Sequence, residues 1–284
     1  MNPQHRAGRR SPPGRYRDPV AQLAWDQVDR GRFWLPEAAL SLYGIGAFSM
    51  LPAARHRSLS HFEFLRLLQA GLWLEGIFME RLARAVRRGC GAPDQQTFHL
   101  REIREEAGHS LMFLEFIRHA GLQLPPSPFP RLRLAALVGR FAPFEHVGFW
   151  LAVLMGEAIP DRINRFVRRQ SAELCPVAAA LMQIHIADEA HHIAHARSEL
   201  VRLMPGLPRW QAPLLRGLFY RVLRQFVATL FYPEPELYRA AGLEDPSRWS
   251  RLARDNPQRC RFVGDIVSPV LKPFADSGLA LKWG

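Results

Sequence analysis

The sequence predicts an all-α protein, a four-helix bundle with additional helices and a loop-rich C-terminal segment. Three observations predict it. Proline-containing breaks cut the middle of the chain into helix-length segments, those segments show no strand-like alternation, and two of them carry a Glu-x-x-His unit.

The breaks lie at Pro52, Pro93, the Pro125-Pro126-Ser127-Pro128 cluster, Pro176, Pro205 and Pro208. Proline lacks the amide hydrogen that a helix interior requires, so each marks a boundary. Long helices are therefore expected over about 59–89, 97–120, 143–173, 176–204 and 209–231, with shorter helical pieces at 20–30, 36–44 and 131–139. From Phe231 onward prolines return, and short helices and loops are expected there. The economical reading is one helical domain over 19–284 with its bundle core at about 59–231. Residues 1–18 read as a disordered basic tail, because Arg6, Arg9, Arg10, Arg15 and Arg17 stand among Pro, Gly and Ser with little apolar content.

Composition narrows the function. With 48% hydrophobic residues a chain of 284 residues can bury a large core. The formal net charge of +12 would suit an anionic partner, but lysine occurs only at Lys272 and Lys282, a skew consistent with codon bias. No nucleic-acid module is recognisable, so a nucleic-acid partner is not expected. Cys90, Cys175 and Cys260 are odd in number, widely spaced and without a C-x-x-C pair, which argues against a disulfide framework or a thiolate zinc site and suits a reducing, cytoplasmic compartment. The longest apolar stretch, Val147 to Met155, falls far short of the ~20 residues of a membrane-spanning helix.

The chemistry is written on the long helices. Glu106-Ala-Gly-His109 and Glu189-Ala-His-His192 each place a carboxylate and an imidazole one turn apart on one face. Two such units on separate helices, with a further inward glutamate from each of the other two, are the donor set of a two-metal, ferritin-like carboxylate site. Both further glutamates are present. Glu75 shares its face with Leu65, Leu68, Leu72, Phe78, Met79 and Leu82, and Glu157 shares its face with Trp150, Val153 and Leu154. A lone carboxylate on such a face is costly to bury unless it is paired or coordinated. Glu80 is set aside, since Arg84 four residues on marks a solvated face.

His185 lies four residues before Glu189 and seven before His192, which at ~100° per residue groups the three within about 60° of arc. It is expected to add a third nitrogen ligand. Among Glu102, Glu105 and Glu106, only Glu106 completes the Glu-x-x-His spacing with His109. His191 and His195 point elsewhere, while Asp161 and Asp188 are candidates for orienting the ligand histidines. Four carboxylates balance two divalent ions, and oxygen-rich ligation with imidazole suits iron or manganese.

The order Glu75, Glu105-Glu106-x-x-His109, Glu157, His185-x-x-x-Glu189-x-x-His192 resembles the p-aminobenzoate N-oxygenases and related non-haem di-iron oxygenases, including that family's additional histidine. The resemblance reaches upstream to Leu40-Ser-Leu-Tyr-Gly44, with two departures: Glu105 stands where aspartate is expected, and the interval from His109 to Glu157 is short. It implies two iron ions, O2 as co-substrate, an external electron donor, a small organic substrate such as an aromatic amine, and a homodimer. Aromatics such as Trp73, Phe78, Phe113, Phe116, Phe149 and Trp150 could line the substrate pocket. The competing expectations are a ferritin-like tRNA hydroxylase, which His185 argues against, and a non-catalytic metal-storage or sensing bundle.

Overall fold

The computed structural model describes residues 16–89, 92–276 and 279. The tail expected over 1–18 therefore lies mostly outside the described residues, as does Cys90. Its last residues are placed: Arg104 stacks on the Tyr16 ring with its guanidinium carbon 4.4 Å from the centroid, and Asp18 Oδ1 accepts from the Val20 amide.

The described residues form α1 (Gly46–Ser49), α2 (Ala53–Arg87), α3 (Pro93–Ala120), α4 (Arg133–Phe141), α5 (Val147–Arg169), α6 (Pro176–Leu203), α7 (Gln211–Phe231), α8 (Pro235–Ala240), α9 (Pro246–Arg254) and α10 (Pro257–Asp276). No strand occurs among them; Phe33 and Leu174 form an isolated bridge. The five long helices stand where the proline breaks predict them, although α2 starts six residues earlier than expected, directly after Pro52. The pieces expected at 20–30 and 36–44 are single 3-10 turns, at Val20–Gln22, Trp25–Gln27 and Glu37–Ala39.

Prolines here start helices more than they end them. Pro93, Pro176, Pro235, Pro246 and Pro257 each occupy the first helical position, where the missing amide hydrogen has no intrahelical role. For that reason the C-terminal segment departs from the loop-rich expectation. α8 and α9 are short, but α10 runs for 20 residues with Pro269 inside it. At the other ends, Gly89 (φ 63°) and Gly121 (φ 60°) supply the left-handed conformation that closes α2 and α3.

Two helical hairpins make the bundle. α2 packs along α3 and α5 packs along α6, each pair joined by a short connection, which sets the partners antiparallel. Gly71 allows the first pair to close, since a Cβ there would lie 2.5 Å from the Phe113 ring. A buried polar network then ties the outer segments to the bundle. Glu63 accepts from both the amide and the hydroxyl of Ser41, whose hydroxyl also meets Tyr238 at 2.9 Å. Arg259 donates to the carbonyls of Phe231 and Ala39, and Asn256 donates to those of Ser41 and Tyr43. The upstream segment that resembled the N-oxygenases, Leu40 to Gly44, is thus a structural clamp.

Replacing Gly71 with valine should force Phe113 out of position and destabilise the fold by about 1–3 kcal/mol, the usual cost of overpacking, read as a lowered thermal midpoint.

Candidate metal centre

The seven residues singled out in the sequence meet inside the bundle. Glu75 comes from α2, Glu106 and His109 from α3, Glu157 from α5, and His185, Glu189 and His192 from α6; none is more than 7% exposed. The helical periodicity that put them on apolar faces is what buries them. Leu65, Leu68 and Leu82 flank Glu75 on α2, and Val153 and Leu154 flank Glu157 on α5, all buried.

Glu189 is the hub. Its Oε1 lies 3.2 Å from His109 Nδ1 and 3.5 Å from His185 Nε2, and its Oε2 lies 2.9 Å from His192 Nδ1. On one side His185 Nε2 also reaches Glu75 Oε1 at 3.4 Å. On the other, His192 Nδ1 lies 3.2 Å from Glu106 Oε1. Donor atoms of Glu75, His109, His185 and Glu189 fall within 4.8 Å of one another, and so do those of Glu106, Glu189 and His192. Glu157 lies against both groups, with Glu189, Glu106 and His192 of the second and Glu75 of the first as its charged neighbours.

Protons balance this cluster. Burial, reinforced by Glu157 and Glu189, pushes the Glu75 carboxyl up to about 8. Burial and neighbouring carboxylates likewise hold Glu106 and Glu157 well above the ordinary carboxylate range. Burial would raise Glu189 too, but His192, His109 and His185 outweigh it and hold that carboxylate well below its usual value. His109 and His192 rise despite burial because acidic groups surround them, whereas burial pulls His185 down to about 4.

Each histidine aims one nitrogen at the cluster and offers the other to a polar group outside it. His109 Nε2 lies 3.2 Å from Asp188 Oδ2, His192 Nε2 lies 2.9 Å from Glu102 Oε2, and His185 Nδ1 lies 2.9 Å from the Asn164 side-chain amide. The contacts of His109 and His185 are hydrogen bonds that fix ring orientation and tautomer, while His192 Nε2 meets Glu102 as a close charged pair without a well-directed hydrogen bond. Asp188 therefore takes the orienting role expected of it. Asp161 does not: its Oδ2 pairs with Arg165 at 2.7 Å, one turn along α5. Glu102 and Asn164 were missed. Their signal was present, since Glu102 is one turn before Glu106 and Asn164 is seven residues after Glu157 on the same face. Glu105 Oε2 lies 3.3 Å from Nε2 of exposed His191 and 3.8 Å from His192 Nε2, on the outer side of that ring. Glu80 pairs with Arg84 and Arg140 away from the centre, as its spacing predicts.

The donor set fits metal ions. Glu75 Oε2, Glu106 Oε1 and Glu189 Oε1 are buried without a well-directed hydrogen bond, a condition that costs about 1–3 kcal/mol per group in a closed core and that cations would relieve. An apolar pocket that opens to solvent, with a cavity volume of about 70 Å³, adjoins the cluster at Glu157. Trp73, Phe78 and Phe149 line it as expected. Phe113 packs on His185, Phe116 on Trp34 and Trp150 on His195 instead.

The family model described as p-aminobenzoate N-oxygenase AurF matches residues 6–278, nearly the whole chain. The chain belongs to the AurF family. Among curated relatives, uncharacterized proteins of Mycobacterium tuberculosis and Mycobacterium bovis are each 33% identical over 190 residues, which is 66% of this chain. The chain spans about half the length of these relatives, the match covering 55% of each. No helix among the described residues of this AurF-family chain is long and apolar enough to cross a membrane.

Loading the metal-free protein with divalent ions at neutral pH should release protons, because Glu75, Glu106, Glu157, His109 and His192 all hold protons more tightly than usual. Apparent metal affinity should then rise as pH is raised towards about 8, which calorimetry in buffers of different ionisation enthalpy would read. Asp188→Asn and Glu102→Gln should each weaken metal binding by about 10–100-fold in a chelator competition.

Proposed function

We propose that this chain is a non-haem di-iron oxygenase that uses O2 to oxidise a small organic molecule. The carrying observation is the convergence of four glutamates and three histidines from four helices on one buried point, with Glu189 facing donors on both sides. Glu75, His109, His185 and Glu189 would hold one ion, Glu106, Glu189 and His192 would hold the other, and Glu157 stands beside both. Iron is the ion that the AurF family implies, and manganese suits the same donors. Bound iron would supply O2 binding and redox chemistry.

The protein's own groups prepare the site. His109 and His192 would hold the ions through Nδ1, with the Nε2 proton directed towards Asp188 and Glu102. His185 binds through Nε2 when Nδ1 carries its proton to the Asn164 amide oxygen, which a flip of that amide brings into place. Burial keeps His185 neutral, as a ligand must be. The apolar walls around Glu157 offer few groups to hold water beside the ligands.

For an amine substrate the first oxidation balances as amine plus O2, two electrons and two protons giving hydroxylamine plus water, so an external electron donor is a required partner. N-oxygenation is the activity in the family's description. The cavity favours a catalyst for small molecules over a storage bundle, since storage needs no apolar chamber beside the metal ligands.

Protein purified aerobically with iron should carry close to two ions per chain and consume O2 when an amine and a reductant are added. Glu106→Ala and His192→Ala should each cut metal content and abolish uptake. Two-metal occupancy that survives both changes would overturn the assignment.

A further inference from the structure

The cavity beside Glu157 narrows the substrate class, an inference that rests on the oxygenase reading of the metal centre. We propose that this chain oxidises an uncharged, largely apolar molecule and rejects carboxylate-bearing aromatics such as p-aminobenzoate.

The walls carry the argument. Trp73 and Phe78 of α2, Phe149 and Val153 of α5, and Val222 and Phe226 of α7 form an apolar chamber. Among the described residues, the only ionisable side chain in the lining is Glu157, and apart from its carboxylate the only polar side-chain group is the Trp73 indole N–H. No lysine, arginine or histidine side chain of the described residues lines it. A carboxylate drawn into this chamber would lose its hydration and find no cationic side chain among the described lining residues to replace it.

Of the basic residues next to lining positions, Arg221 and Arg224, beside Val222 and Phe226 on α7, are exposed, and two others are engaged elsewhere. Arg81, one turn after Ile77 and Phe78, stacks 3.8 Å over the Phe144 ring and donates to the Ala142 carbonyl. Arg140, beside the lining residue Gly139, pairs with Glu80 at 2.8 Å. Neither stands among the lining residues.

The remaining wall is α4, which supplies Ala135 and Gly139 and has no fully buried residue of its own. Gly139 lets it sit close to α2, because a Cβ there would lie 2.5 Å from Ile77 Cγ2. Small residues on this helix leave the chamber its width, and its length is closed at one end by Glu157 and by Phe78, whose ring centroid is 6.3 Å from that of His192. A substrate that fills the chamber thus presents one end to the metal ligands and buries the rest against hydrocarbon. An amine reacting there enters neutral, since its nitrogen lone pair is what receives oxygen.

Anaerobic calorimetry on the full-length, iron-loaded protein with p-toluidine and p-aminobenzoate separates the two classes, because they differ in a methyl against a carboxylate. p-Toluidine should bind at least about tenfold more tightly. Ala152→Trp should fill the chamber and remove that binding. Ala135→Arg, on a half-exposed helix that tolerates a long side chain, should supply the missing cation and turn the preference towards p-aminobenzoate. Melting curves and iron content guard both variants, and Ala135→Arg decides alone if Ala152→Trp does not fold.

Equal or tighter binding of p-aminobenzoate by the parent protein would overturn the proposal, as would p-toluidine binding that both substitutions leave unchanged. Because the readout needs no O2, it is separate from the oxygenase reading. O2 uptake driven by p-aminobenzoate would sink the substrate class alone, whereas selective p-toluidine binding without any O2 uptake would sink the oxygenase alone.

Discussion

Everything in this protein depends on holding four carboxylates and three imidazoles together where water does not reach. Left to itself, such a group of acids would repel and take up protons, as the raised Glu75, Glu106 and Glu157 do. Glu189 escapes that fate because three histidines surround it. The cluster is therefore arranged around one charged carboxylate, and it is poised to exchange protons for cations.

Such an arrangement needs rigid support, and the bundle provides it at several levels. Long helices fix the register of ligands one turn apart, and Gly71 lets the first hairpin close until Phe113 meets His185. Outside the cluster, Asp188, Glu102 and Asn164 hold the far nitrogens of the three rings. Farther out, the network of Glu63, Ser41, Tyr238 and Arg259 anchors the N-terminal segment and α10 to the bundle. These distant hydrogen bonds satisfy buried backbone carbonyls that would otherwise oppose docking of the outer elements.

Function follows from the contrast between two neighbouring environments. The cluster is densely polar, while the chamber adjoining it at Glu157 is almost wholly apolar. A reactive centre in contact with a hydrocarbon-like compartment selects what it oxidises by exclusion as much as by attraction. The chain belongs to the AurF family, and the chamber is where the proposed selection of substrate would act.

The sequence by itself determined the all-α class, the proline-bounded long helices and the residues that converge. Helical periodicity is a local property, and a charged residue on an apolar face is legible wherever it occurs, so Glu75 and Glu157 could be paired with the two Glu-x-x-His units without coordinates. Tertiary structure decided the rest. It chose Asn164 over Asp161 as the neighbour of His185, gave Glu102 to His192, turned the C-terminal prolines into helix starts, and sorted Trp73, Phe78 and Phe149 into the cavity while Phe113 and Phe116 went to packing. Those choices depend on which atoms from different helices come within a few ångströms, and spacing along one helix does not encode the distance to another.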